Sequence, residues 1–199
     1  MKNKALEYFL QLVIVVVGVF LGMLATDWSN ARQQNKNQKL VLQSILKEMK
    51  INYAKVEQAL AYHQKIFQAF DKVRAKENYN DAKYKFNSEN LRKFFPGWRG
   101  VNMPNLDSDM YEMAKYSNTM PGMPYKIQEN LSRVYHYQSL YNQLADKVVG
   151  RFLQFNETTQ LNESIGVIWI MREGGYAGEL NAIKKYKTAI SLIEKELNR

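Results

Sequence analysis

The chain has 199 residues, 46% hydrophobic and 24% charged, with 28 basic against 19 acidic side chains and a formal net charge of +9. It contains no cysteine and only two histidines, His63 and His136, which excludes disulfides, thiolate chemistry and Cys-ligated metals and leaves little for His-based catalysis or metal binding. The mean hydropathy of -0.46 averages one very apolar segment with a polar remainder.

That segment comes first. No Asp, Glu, Lys or Arg lies between Glu7 and Asp27, and Val13 to Val17 is continuously β-branched and apolar. A helix over Tyr8 to Thr26 is roughly 28 Å long, about the hydrocarbon thickness of a bilayer. Tyr8 and Trp28 bracket it where amphipathic rings favour the headgroup layer. A cleavable signal peptide is the competing reading, but bulky Met23 two residues before Ala25 fits a cleavage site poorly, so a retained anchor is expected. Gln11, Gly18, Gly22 and Ala25 recur along one side of this helix, and Gly18-x-x-x-Gly22 is the spacing of close helix pairs in membranes. The alternative is that glycine is simply common in spanning helices.

All four prolines, Pro96, Pro104, Pro121 and Pro124, fall in one region, leaving long proline-free stretches on both sides. In the first, Leu42, Leu46, Met49, Tyr53, Val56, Leu60, His63, Phe67 and Phe70 alternate spacings of four and three, a heptad seam widened by Ile45, Ala59, Ile66 and Val73. Nothing between Trp28 and Glu77 stops a helix, and Asn78 to Asp81 is expected to end it. Ser88 is expected to cap a short helix through Phe95, and Asp107 or Ser108 another to about Ser117, with Asn118 as a left-handed terminator. Met120 to Pro124 forms a stiff turn.

Ile127, Leu131, Val134, Gln138, Tyr141, Ala145, Val148, Phe152 and Phe155 form a second seam. Ile165 to Met171 is too short to span a membrane and is expected to be a buried helical turn or strand, with Gly174-Gly175 breaking the chain after it. Tyr176, Leu180, Ile183, Tyr186, Ile190, Ile193 and Leu197 mark one side of a last helix. The expected fold is all-α: a transmembrane anchor (1–28), a long juxtamembrane heptad helix (29–77), short helices and loops (78–124) and C-terminal bundle helices (125–199).

Several of these residues resemble a known group. Gly18-Val19-Phe20-Leu21-Gly22 followed by Asp27-Trp28-Ser29-Asn30, then Tyr111-Glu112-Met113-Ala114-Lys115-Tyr116-Ser117-Asn118 and Leu131-Ser132-x-x-Tyr135, is similar to a family of small single-span bacterial membrane proteins, mainly of Bacteroidota, classified as a domain of unknown function. The chain departs from that pattern at Thr26-Asp27, at Ser29 and at Asn118. The resemblance covers roughly residues 5 to 140. It implies a bacterial inner-membrane protein with a helical extramembrane domain and carries no known activity.

Charge decides among partners. Residues 28–77 carry +6 of the excess, much of it just beyond the span at Arg32, Lys36, Lys39, Lys47, Lys50 and Lys55. Cations there meet anionic headgroups, so Trp28, Arg32, Lys36 and Lys39 are assigned to lipid contact, and no nucleic-acid signature accompanies them. No P-loop, nucleophile elbow or His-Glu-x-x-His pair is present, Asp107 and Asp109 suit a helix start, His63 is expected in the core and His136 on a helix surface. No enzyme activity, cofactor or metal is expected. The expected role is a non-enzymatic inner-membrane scaffold that self-associates, or an accessory subunit of a larger membrane complex, with the bundle periplasmic. The alternative is a sensor binding a small ligand near Tyr135, Tyr137 and Tyr141 and signalling through a partner.

Overall fold

The computed structural model describes residues 2–77, 79–117 and 119–198, with side chains from residue 6 onward; the expected roles of Asn78 and Asn118 lie outside the described residues. The apolar segment and the first seam form one uninterrupted helix, α1 (Lys2–Arg74), about 110 Å long at 1.5 Å per residue. It holds no Pro, and its two glycines, Gly18 and Gly22, lie in the apolar part. Residues 6–37 are exposed throughout; from Leu42 onward one side of α1 is buried.

The remaining elements wrap that buried side. They are α2 (Ser88–Phe94), α3 (Asp109–Tyr116), a 3-10 turn (Met120–Gly122), α4 (Tyr125–Leu153), α5 (Leu161–Ile170), a π-helical turn (Met171–Tyr176) and α6 (Ala177–Leu197). No strand occurs among the described residues, and the all-α bundle follows as expected. Ion pairing fixes the directions. Lys50 meets Glu194 at 2.6 Å and His63 meets Glu179 at 2.8 Å, so α6 runs antiparallel to α1. Glu48 meets Tyr135 and Asn52 meets Gln138, while Phe152 stacks on Trp98 at the far end, so α4 runs parallel to α1. The 3-10 turn sits against Gln38 and Gln34, at the end of the bundle nearest the apolar segment.

Four local expectations are corrected. The cap of α2 is Asn87, whose Oδ1 accepts from the Asn90 backbone N–H at 2.7 Å, and Ser88 is the first helical residue. Neither Asp107 nor Ser108 caps α3 with its side chain; Asp107 pairs with Lys55, and Glu48 of α1 accepts the Met110 N–H at 2.9 Å, placing a carboxylate at that helix start. Gly174-Gly175 does not break the chain. A π-turn over Met171–Tyr176 carries α5 into α6, with Met171, Gly175 and Glu179 buried. Gly175 is small because a Cβ there would lie 3.1 Å from the Met103 methyl. Finally, Leu180 points to solvent, and Phe155 lies beyond α4, tilted against Phe86.

Candidate functional site

The apolar part of α1 is a surface with nothing on it. The segment's mean hydropathy reaches 2.5 over its most apolar window, none of that window is covered by the rest of the chain, and the helix is long and apolar enough to cross a membrane. Beyond the adjoining residues and the local helix backbone, nothing lies within 4 Å of the place where a Cβ would project from Gly18 or Gly22. Gln11 and Ala25 are exposed on the same helix. The Thr26 hydroxyl donates to the Gly22 carbonyl at 2.9 Å, which removes that polar group from the demands of an apolar setting.

A basic stripe continues from it. Ser29, Arg32, Gln33, Lys36, Lys39, Leu40 and Gln43 lie together on one side of α1, and Gln43, Leu46, Lys47, Lys50, Ile51 and Ala54 extend the same side. Trp28 is 70% exposed, with the Arg32 guanidinium 5.9 Å from its ring centroid. Gly18, Lys36 and Ala54 are successive 18-residue steps, about five full turns each, and so share one line of the helix. Ile45 and His63 lie half a turn away, on the buried line. The small-residue side of the apolar segment and the basic stripe therefore form one face, and the bundle covers the opposite one.

The bundle is organised around a polar centre that the heptad pattern does not mark. Of the expected seam, Leu42, Met49, Val56, His63, Phe67 and Phe70 are buried, whereas Leu46, Tyr53 and Leu60 are only half-buried. The buried axis runs instead through Ile45, Asn52, Ala59 and Ile66, one residue earlier in each pair. Asn52, wholly buried, donates to the Asp107 carbonyl at 2.7 Å and to Gln138 Oε1 at 3.3 Å, and accepts the Asp107 N–H at 3.0 Å. Gln138 in turn accepts from the Tyr186 hydroxyl at 2.6 Å and donates to the Leu106 and Asp107 carbonyls. Asn52 thus ties α1 to the irregular 101–108 stretch and to α4. Asn52→Leu is expected to destabilise the bundle by about 1–3 kcal/mol, since the facing groups lose their partners; chemical denaturation measures it.

His63 is in the core as expected, but it is not alone there. Its Nδ1 lies 2.8 and 3.0 Å from the two Glu179 oxygens, its Nε2 lies 2.7 Å from the Val101 carbonyl, and the Tyr141 hydroxyl donates to Glu179 at 2.9 Å. Nε2 faces only a carbonyl, so it is the donor there, and Nδ1 faces the carboxylate. Both side chains are 0% exposed. A second carboxylate, Glu48, accepts from the Tyr135 hydroxyl at 2.6 Å. Burial raises the hydroxyl pKa of Tyr135, Tyr141 and Tyr186 well above the ordinary tyrosine value, helped by the adjacent charge of Glu48 or Glu179.

Tyr135, Tyr137 and Tyr141 do not converge on one cavity. Tyr135 stacks on Tyr111 with ring centroids 4.2 Å apart, Tyr141 is bonded inside the core, and Tyr137 donates to the Gly178 carbonyl at 3.2 Å. Tyr135 only borders a polar cleft of about 390 Å³ between α3 and α4, beside exposed His136 and Ser139 and half-buried Glu112. A larger groove of about 750 Å³ opens at the end of the bundle far from the apolar segment, between Trp98, Phe152, Leu153 and the arginines Arg92 and Arg99. No family model, curated protein or solved structure matches the chain.

Proposed function

We propose that the chain is a non-enzymatic, single-span protein of a bacterial inner membrane that serves as an accessory subunit or scaffold of a larger membrane complex. The observation that carries this reading is the continuity of α1: the bare apolar segment and the core of the bundle are parts of one helix without a hinge residue between them. A rod of this kind fixes a bundle at a set distance and rotation relative to a bilayer. The acid–base pair His63–Glu179 is sealed from solvent, which favours structure over chemistry. Trp28, Arg32, Lys36 and Lys39 follow the span directly and suit the headgroup layer. Gly18 and Gly22, open on their helix face, suit close approach of another spanning helix, either a second copy or a partner.

Full-length protein produced in a bacterial host is expected to fractionate with the inner membrane and to resist carbonate extraction; release by carbonate overturns the anchor. Protease added to spheroplasts is expected to digest the bundle, placing it in the periplasm; protection places it in the cytoplasm. In a membrane association assay, Gly18→Leu/Gly22→Leu is expected to lower the signal severalfold. An unchanged signal removes this face from self-association.

A further inference from the structure

We propose that the side of α1 turned away from the bundle is a docking face for an acidic amphipathic helix of a second membrane protein, a helix that follows α1 from the bilayer outward as far as Ala54. This rests on the membrane-anchored accessory reading and names the chemistry of its partner.

The face has the composition of a helix interface left open. Leu40 and Ile51 are 53% and 46% exposed, and half-buried Leu46 and small Ala54 complete an apolar line. Lys36, Lys39 and Lys47 flank that line and form no ion pair among the described residues, while Lys50 meets Glu194 at the bundle edge. Between Ser29 and Val56 the only acidic residue is Glu48, and it faces the other way, buried against Tyr135 and the start of α3. An apolar line between unpaired lysines is complemented by an apolar line between carboxylates. The face also continues without a change of side into Gly18 and Gly22, so a partner helix packed there in the bilayer emerges alongside Lys36 and Leu40.

Two other occupants fit less well. Lys47 lies 19 residues beyond Trp28, roughly 28 Å along the helix and several times the Debye length at physiological salt, and Ile51 and Ala54 lie farther out still. Headgroups therefore account for Arg32 and its neighbours and not for the outer half of the face. A second copy shares the same membrane orientation, so its α1 is parallel, and Lys36, Lys39 and Lys47 meet their own equivalents. Like charges across such a seam disfavour the pairing.

The test uses the full chain in phosphatidylcholine nanodiscs and two labelled synthetic helices with identical leucine heptads, one flanked by glutamates and one by lysines. The glutamate helix is expected to bind at least tenfold more tightly. Lys36→Glu/Lys39→Glu/Lys47→Glu is expected to abolish or invert that preference, and Lys126→Glu/Arg133→Glu/Lys147→Glu on α4, an equal change in total charge, to leave it intact. Equal binding of the two helices, or equal loss in both triple variants, overturns the proposal. So does a dimer of the chain alone that shields labels at Lys47 and Ile51, or shielding of those labels that requires only added phosphatidylglycerol. Failure of the chain to insert into nanodiscs refutes the membrane-anchored reading itself; insertion without glutamate preference refutes only the docking face.

Discussion

Glu179→Ala is expected to lower the stability of the bundle by about 3–5 kcal/mol, because it removes one side of a fully buried charge-assisted pair. His63 then keeps Nδ1 in an apolar site with nothing to bond, and the Tyr141 hydroxyl loses its acceptor. At the entropy of unfolding usual for a domain of this size, the change corresponds to a fall in Tm of roughly 10 °C. Two further variants test the cause. Glu179→Gln preserves a donor for Nδ1 and an acceptor for Tyr141 and is expected to cost about 1 kcal/mol. The double variant His63→Leu/Glu179→Leu removes both buried polar partners and is expected to recover much of the loss, leaving the Tyr141 hydroxyl and the Val101 carbonyl as residual defects. Equal Tm values for Glu179→Ala and Glu179→Gln measure the pair as unimportant and discard this account.

Periodicity, charge and proline placement made the helices and the long apolar segment legible. Spacings of three and four, the charge-free run from Tyr8 to Thr26 and the confinement of proline to 96–124 lead directly to α1, α4 and α6 and to the loop region between them. The buried axis of α1 was legible except at Asn52, for a physical reason. Residues 46, 53, 60 and 67 are Leu, Tyr, Leu and Phe, whereas 45, 52, 59 and 66 are Ile, Asn, Ala and Ile. A hydrophobic count favours the first set and passes over Asn52, but tertiary hydrogen bonds to Gln138 and from the Asp107 N–H make Asn52 the better core residue. Glu48 and Glu179 were hidden in the same way, since a carboxylate on an amphipathic helix is normally solvated and only its partners reveal otherwise. The face now proposed for docking was hidden for the converse reason. Its apolar line is thin, and its side relative to the bundle is fixed only once Ile45 and Asn52 are known to be the buried line.

The same polar centre makes the bundle sensitive to alkali. Tyr135, Tyr141 and Tyr186 are all at least 95% buried, and their hydroxyls donate to Glu48, Glu179 and Gln138 respectively. Burial and the nearby carboxylates raise their pKa in the folded chain, so the folded state keeps these protons well above the pH at which an unfolded tyrosine, with its pKa of about 10, gives its own up. The sign follows from proton counting. Below pH 10 both states bind the proton and stability is flat with respect to these groups; above it the unfolded state binds fewer, so stability falls as pH rises. Each tyrosine contributes up to about 1.4 kcal/mol per pH unit, or about 4 kcal/mol per unit for the three together. Tm is therefore expected to decline steeply from about pH 10 to pH 11.5 when followed by far-UV circular dichroism. Tyr135→Phe and Tyr186→Phe should each make the decline shallower by one proton's worth, at the expense of stability near neutral pH where their hydrogen bonds are lost. An unchanged slope in both variants, or phenolate absorbance from these residues while the helices persist, assigns the alkaline transition to other groups.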